Sequence, residues 1–179
     1  MRILVDMDGV LADWGSEWDK EVQERKAHFL PLTEDQRSFN LFENRSEEEK
    51  EVVRQIMNSP GFYSRLGAIP GAAEALNEML SLRHDVRIVT APWLTNPTCA
   101  SDKYDWAERH IGAGWGERTI ITKDKTLIRG DYLIDDKPEI VGIEIPEWEH
   151  IWFTQPYNRD LNHYRRIDNW SEWKDVIHG

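Results

Sequence analysis

The sequence predicts an α/β protein in which a doubly wound parallel sheet carries a small helical cap inserted after the first strand. Three observations support this fold class. Short apolar runs of strand-forming residues alternate with segments of helical periodicity, as expected for parallel strands joined by crossover helices. Polar and acidic residues follow several of these runs, where each strand should end. A long charged segment without strand-like runs separates the first strand from the rest of the chain.

The first strand is predicted over residues 2–6. Its residues Ile3, Leu4 and Val5 form a continuous β-rich apolar run. Such a run is typical of a parallel strand buried on both faces, because a half-exposed strand would alternate apolar and polar residues.

The cap is assigned to residues 14–65, and residues 1–13 and 66–179 form the core domain. Within the cap, residues 33–36 and 46–49 both fit the capping-box pattern of a helix start. We expect the cap to cover the active site. A set of surface helices unrelated to the site remains an alternative, because periodicity alone does not place helices in space.

The remaining elements alternate between helix and strand. Apolar residues at helical spacing predict one helix after Gly71 and another that ends at Gly112, and a terminal helix is predicted over residues 171–177. Further strands are expected where short apolar runs occur, at residues 86–89, 118–121, 132–134 and 151–153.

Composition limits the classes of function. With 179 residues, the chain is long enough for one domain with a modest insertion. A formal net charge of −11 argues against a surface that binds a nucleic-acid polymer. The single cysteine, Cys99, excludes an internal disulfide and is compatible with a reducing cytoplasm. No apolar run is long enough to predict a membrane span, so we expect a cytoplasmic protein.

Asp6 and Asp8 follow the first strand directly and precede a turn at Gly9. In open α/β sheets, ligands bind outside the carboxyl ends of the strands. Two carboxylates held this close repel each other unless a cation or an electrophilic substrate lies between them. An ordinary strand end followed by an Asp-Gly turn is the alternative, because so short a motif also occurs by chance.

The stretch at residues 6–14 resembles the nucleophile motif of the haloacid dehalogenase superfamily, and more narrowly that of the 5′(3′)-deoxyribonucleotidases within it. Four later segments resemble the same family in the expected order, at residues 89–92, 102–107, 122–126 and 131–138. The resemblance extends from Arg2 to about Pro138 and is weak within the cap. It implies a Rossmann-type core and phosphohydrolase chemistry.

An aspartate pair of this kind can hydrolyse a phosphomonoester. Asp6 can act as the nucleophile and form an aspartyl-phosphate, and Asp8 can act as the general acid and base. The resemblance implies Mg²⁺ as cofactor, held by the Asp6 side chain, the Asp8 backbone carbonyl and Asp136. It places Asp135 beside the ion without direct contact.

Four residues are candidates for phosphate binding. Thr90 can donate its hydroxyl and backbone N–H, and the resemblance assigns charge neutralisation to Lys125. Lys103 also matches the family, where it either binds phosphate or braces Asp135. Ala91 departs from the family, which commonly carries a serine there.

The cap is expected to set substrate specificity. Trp14 and Phe39 match family positions that carry aromatic residues against the nucleobase, and Tyr63 is a further candidate wall. The alternative is that Trp14 and Phe39 pack the interior of the cap. Three departures stand near these positions: Lys123 where arginine is usual, and Asn40 and Met57 where larger aromatic residues are common.

These observations favour a Mg²⁺-dependent phosphatase acting on deoxyribonucleoside monophosphates, with the phosphate at the 5′ and also the 3′ position. A phosphatase for a sugar phosphate or another small phosphoester is the second interpretation. A non-catalytic binding protein on the same fold is the third. The expected partner is a small nucleotide substrate, and a homodimer is left open.

Overall fold

The computed structural model describes residues 1–178. In chain order the strands are β1 (Arg2–Val5), β2 (Ala12–Asp13), β3 (Gly67–Ala68), β4 (Asp85–Thr90), β5 (Thr119–Ile121), β6 (Tyr132–Asp135), β7 (Glu149–Phe153) and β8 (Arg165–Ile167). The α-helices are α1 (Trp14–Glu24), α2 (Glu47–Met57), α3 (Ala72–Ser81), α4 (Cys99–His110) and α5 (Trp173–His178). Short 3₁₀ turns occupy Thr33–Asp35, Lys125–Leu127 and Trp170–Glu172.

The main sheet has six parallel strands in the order β5-β4-β1-β6-β7-β8. This architecture confirms the predicted fold class. Strand β1 lies in the middle, with β4 on one side and β6 on the other. After β1, the chain first forms β4 and β5 on one side of this strand. It then crosses to the other side and forms β6, β7 and β8 there. This reversal brings the carboxyl ends of β1, β4 and β6 together, which is where ligands bind in open α/β sheets.

The two faces of the sheet are covered differently. Ile3 and Val5 of β1 face a large apolar core to which all five helices contribute. Leu4, between them, faces a smaller core with Leu133 and Trp148. Residues packed around this smaller core come from strands and loops. Side chains of β1 point alternately to the two faces of the sheet, and both faces are buried. The apolar run in β1 is therefore continuous.

The inserted segment begins and ends at a short antiparallel ribbon, in which β2 pairs with β3. Helices α1 and α2 lie between these two strands in the chain. Trp18 and Val53 of the two helices belong to the same apolar cluster as the sheet. We keep the division into a core (residues 1–13 and 66–179) and a cap (residues 14–65) as a proposal, with an apolar core shared between them.

One of the two predicted capping boxes is confirmed. The Ser46 hydroxyl accepts a hydrogen bond from the backbone N–H of Glu49, and the Glu49 carboxylate accepts one from the N–H of Ser46. The helix start predicted at residues 33–36 is wrong, because only a 3₁₀ turn forms there. Asp19 of α1 accepts hydrogen bonds from both the backbone N–H and the hydroxyl of Thr33, at 2.7 and 2.8 Å. These bonds replace the capping interaction.

Strand β8 was not expected from the sequence. It has only three residues, two of them arginines, at one edge of the sheet. The long side chains cover aromatic neighbours, with the Arg166 guanidinium 5.3 Å from the Trp152 ring centroid and that of Arg165 5.6 Å from the Tyr132 ring centroid. An edge strand stabilised in this way lacks the apolar run by which the other strands were recognised.

Within residues 1–178, no helix has both the length and the apolar character needed to cross a membrane.

A buried histidine should make stability depend on pH. His150 lies among the rings of Trp148, Trp152 and Tyr164, and burial lowers its pKa to about 4. Below about pH 6.5 the unfolded chain binds a proton that the folded protein does not yet accept. His150 should therefore reduce the free energy of unfolding between about pH 6.5 and pH 4, by up to roughly 3 kcal/mol.

The His150→Phe variant should lose most of this dependence, since phenylalanine keeps an aromatic ring and does not titrate. The measurement is urea unfolding of both proteins at pH 7.5 and pH 4.5. His28, which is exposed, provides the matched control His28→Phe, and its pH dependence should equal that of the wild type. If His150→Phe kept the pH dependence of the wild type, His150 would not be its cause.

Candidate active site

Three strand ends supply the polar residues of the main cavity. Asp6 follows β1, Thr90 ends β4 and Asp135 ends β6. The backbone N–H of Asp6 continues the ladder by bonding to the carbonyl of Ile134 at 2.9 Å, which fixes the position of Asp6 against β6. A cavity of about 560 Å³ opens above these residues, between the sheet and the inserted segment.

The turn after Asp6 requires glycine at position 9. Gly9 has a φ of +76°, and a Cβ there would lie 2.3 Å from Oδ2 of Asp136. Two distant side chains hold this turn. Nε2 of Gln155 donates to the carbonyl of Gly9 at 2.6 Å, and Nε1 of Trp170 donates to that of Val10 at 2.9 Å. The turn after Asp6 is therefore held by the C-terminal part of the chain, which the sequence motifs do not reach.

Lys125 links two carboxylates of the site. Its Nζ lies 2.6 Å from Asp6 Oδ1 and 2.5 Å from Asp135 Oδ2. Burial alone would lower the pKa of Lys125, but the charges of Asp135 and Asp6 raise it overall. Burial also raises the pKa of Asp6, and Asp135 raises it further against the opposing effect of Lys125. Lys125 is thus a fixed positive charge beside the predicted nucleophile.

Lys103 is fully buried and holds Asp8. Its Nζ donates to Asp8 Oδ2 at 2.7 Å, to Thr90 Oγ1 at 2.7 Å and to the Ala91 carbonyl at 2.9 Å. The expectation that Lys103 braces Asp135 is wrong, because Lys125 binds that carboxylate. All three donors of the Lys103 ammonium are engaged within the protein. Contact between Lys103 and phosphate stays a prediction that would require one of these bonds to be exchanged.

The acidic cluster fits a divalent cation. Carboxylate oxygens of Asp6, Asp135 and Asp136 lie within 4.8 Å of one another. Oδ1 of Asp8 is buried, and no partner for it occurs among residues 1–178. Burial raises the pKa of Asp136 well above its usual value, and the charges of Asp135 and Asp6 raise it further. Carboxylates crowded in this way favour a hard cation with oxygen ligands.

Asp135 and Asp136 differ in their partners. Both oxygens of Asp135 already accept hydrogen bonds, one from Lys125 and one from the backbone N–H of Lys137. Asp136 accepts one side-chain hydrogen bond, on Oδ2 from the Tyr157 hydroxyl. This difference supports the assignment of Asp136 as the direct ligand, with Asp135 beside it.

The predicted wall residues Trp14, Phe39 and Tyr63 all line the cavity. Trp14 stacks on Trp18 with ring centroids 5.2 Å apart, so it also contributes to the interior of the cap. Phe39 is 44% exposed and contacts the edge of Tyr157, with centroids 5.6 Å apart. Thr90 and Ala91 line the cavity, as do the other three residues that depart from the family pattern, Asn40, Met57 and Lys123.

Several cavity residues were not expected from the sequence. Phe42 and Trp93 stack with centroids 6.0 Å apart and form a further aromatic wall. Tyr157 and Gln36 also line the cavity; Gln36 is buried and Tyr157 is half-buried. The one available signal was the position of Trp93 directly after the 89–92 segment. Tyr157 follows β7 at a sheet end, but no motif marked it.

The parallel sheet, with acidic residues at the ends of β1 and β6, has the architecture of the haloacid dehalogenase fold. Two solved structures share this fold. YfnB of Bacillus subtilis, provisionally named a HAD-hydrolase and bound to magnesium, has a TM-score of 0.59 at 14% identity, covering 99% of this chain and 98% of that one. A haloacid dehalogenase-like hydrolase of Xanthomonas campestris has a TM-score of 0.52 at 12% identity, covering 99% and 90%.

Sequence comparison narrows the class. The family described as 5′ nucleotidase, deoxy (pyrimidine), cytosolic type C protein matches residues 1–178. A protein of Bordetella pertussis, provisionally named a 5′(3′)-deoxyribonucleotidase, is 41% identical and covers 100% of this chain and 96% of its own. The human cytosolic-type 5′(3′)-deoxyribonucleotidase is 39% identical over 99% of this chain and 93% of its own. The human mitochondrial enzyme is 38% identical, covering 99% and 82%.

The chain belongs to the 5′(3′)-deoxyribonucleotidase family. It is accordingly a phosphomonoesterase, and the resemblance stated from the motifs is confirmed.

The hydroxyl of Tyr157 should tune cation binding, because it orients the Asp136 carboxylate. Removing a hydrogen-bond partner of a metal ligand typically weakens metal affinity by about 10-fold to 100-fold. We expect Tyr157→Phe to fold normally and to bind Mg²⁺ about tenfold more weakly, measured by calorimetric titration without substrate. Tyr164→Phe, whose ring contacts those of His150 and Trp152, is the control. Unchanged Mg²⁺ affinity in Tyr157→Phe would refute this role.

Proposed function

We propose that this protein is a Mg²⁺-dependent phosphatase of deoxyribonucleoside monophosphates that acts through an aspartyl-phosphate on Asp6. The observation that carries the proposal is a single cavity with two chemically different parts. One part holds carboxylates and lysines suited to a phosphoryl group, and the other has aromatic walls suited to a nucleobase. The names of the relatives support the same substrate class.

The first step is attack by a carboxylate oxygen of Asp6 on phosphorus. A P–O bond forms to Asp6 while the bond to the leaving alcohol breaks. Lys125 fixes the carboxylate through Oδ1 and places a positive charge next to the phosphoryl oxygens. Lys125 therefore serves both to orient the nucleophile and to offset the charge of the substrate.

Asp8 supplies the proton that the leaving oxygen needs. Burial raises the pKa of Asp8, and the charge of Asp6 raises it further, while Lys103 opposes both. A raised pKa favours the protonated form that a general acid requires. In the second step, water attacks phosphorus and gives its proton to Asp8. The Asp6–phosphorus bond breaks, releasing phosphate and the free carboxylate.

Lys103 is a positioning residue in this scheme. Its bond to Asp8 Oδ2 leaves Oδ1, which has no protein partner among residues 1–178, as the oxygen that can exchange a proton with the substrate. Its bond to Thr90 Oγ1 uses an acceptor site of that hydroxyl. The Thr90 proton can then be donated to a phosphate oxygen.

Mg²⁺ would be held by the side chains of Asp6 and Asp136 and by the backbone carbonyl of Asp8. When bound, it supplies positive charge at the phosphoryl oxygens and offsets repulsion between the carboxylates. A cytoplasmic location and a homodimer stay predictions.

A substrate panel tests the proposed function. Phosphate release should be fastest with deoxyribonucleoside monophosphates and slower with 2-deoxyribose 5-phosphate, ribose 5-phosphate and p-nitrophenyl phosphate. The reason is that base–aromatic stacking is worth roughly 1–3 kcal/mol in other proteins. EDTA should abolish activity and added Mg²⁺ should restore it. Faster turnover of a sugar phosphate than of every deoxynucleotide would favour the second interpretation, a sugar-phosphate phosphatase. Absence of turnover for all substrates would favour a binding protein.

Substrates with different leaving groups distinguish the roles of Asp6 and Asp8. Asp6→Asn should remove turnover of every substrate, because the amide is not a nucleophile. Asp8→Asn should slow aspartyl-phosphate formation strongly from a deoxynucleotide, and less from p-nitrophenyl phosphate, whose leaving group needs little protonation. Single-turnover kinetics measure the rate of aspartyl-phosphate formation from each of the two substrates. Circular dichroism checks that the variants are folded. Equal losses for both leaving groups in Asp8→Asn would exclude the assignment of Asp8 as general acid.

A further inference from the structure

Gln36 places an unused amide at the wall of the cavity. The residue is only 4% exposed and lines the cavity together with Phe39. Its Nε2 is buried and has no hydrogen-bond partner among residues 1–178. Buried amide groups are normally paired, because an unpaired donor loses its hydrogen bonds to water without replacement. An unpaired donor at a cavity wall indicates a partner supplied by the ligand.

The local structure shows why the Gln36 side chain does not take part in a capping box. In a capping box, this glutamine would reach back to the backbone N–H of Thr33. That N–H is instead bound by Asp19, at 2.7 Å. The 3₁₀ turn ends at Asp35, so Gln36 starts the extended segment that leads to Phe39. The capping pattern in the sequence thus has no structural role at this residue.

The chemistry of an amide selects the ligand group. A glutamine side chain offers a donor and an acceptor in one plane, which matches the edge of a base that carries a carbonyl oxygen. Phe39, three residues further along, offers a ring for the face of the same base. A phosphate group needs positive charge, which Lys125 supplies elsewhere in the cavity. A base-free sugar phosphate offers no such carbonyl edge.

We propose that Gln36 is a specificity-determining residue whose Nε2 donates a hydrogen bond to a carbonyl oxygen of the substrate's base. The proposal rests on the proposed nucleotidase function and deepens it. Phe39 contacts the face of the base, and Gln36 binds its edge. The buried amide is satisfied only when a nucleotide occupies the cavity.

The test compares Gln36→Met with wild type on deoxyuridine monophosphate and on 2-deoxyribose 5-phosphate. Methionine keeps the length of the side chain and removes its donor. We expect KM for the nucleotide to rise roughly tenfold, as for the loss of one hydrogen bond, with kcat little changed. KM for the base-free substrate should change less than twofold. Gln36→Glu, which removes the donor and keeps the acceptor, should show the same selective rise.

A second readout separates binding from structure. Removing an unpaired buried amide should leave Tm unchanged or raise it, whereas a glutamine with a structural role would lower Tm when replaced. Gln23→Met, at an exposed position of α1, is the matched control for both measurements.

Equal rises in KM for the nucleotide and the base-free substrate would overturn the proposal, as would no change for either. If the wild type prefers the nucleotide to the base-free substrate, either result refutes only the role of Gln36. A wild type without that preference would instead refute the nucleotidase function on which the proposal rests.

Discussion

Four carboxylates and two buried lysines share a small volume at the ends of the central strands, and the rest of the structure accommodates this concentration of charge. Lys125 joins Asp6 to Asp135, and Lys103 holds Asp8. When all six groups are ionised, the carboxylates of Asp6, Asp8, Asp135 and Asp136 exceed the lysines by two charges, which matches a divalent cation. Each carboxylate removed from water must have a compensating partner, because an unpaired buried charge is costly.

The C-terminal part of the chain helps to hold these charged groups in place. Gln155 and Trp170 bind the carbonyls of the catalytic turn, and Tyr157 binds Asp136. Tyr157 also contacts Phe39 of the inserted segment. The cap, the loop after β7 and the acidic site are thus in direct contact. The predicted catalytic side chains are in this way supported by residues that lie outside the sequence motifs.

The net charge of −11 does not by itself exclude a phosphate substrate, because lysines stand beside the carboxylates in the cavity. Lys125 and Lys123 line the cavity, whereas the acidic excess is distributed over the whole chain. The aromatic part of the cavity is larger than the sequence indicated, because Phe42 and Trp93 join the three expected residues. The cap and the sheet share one apolar core, so these walls are held by the same packing that stabilises the fold.

The sequence by itself determined most strands and helices of the core, though not β2, β3 and β8. It also determined the family and the polar residues at the carboxyl ends of β1, β4 and β6. Local patterns suffice for this, because the period of apolar residues reports the element and the motif reports the chemistry. Only the tertiary structure decided which partner each long side chain finds. Lys103 binds Asp8, 95 positions away, rather than Asp135, and Asp19 takes the N–H that Gln36 would have capped. These choices depend on distances between elements in the folded protein, which no local pattern encodes.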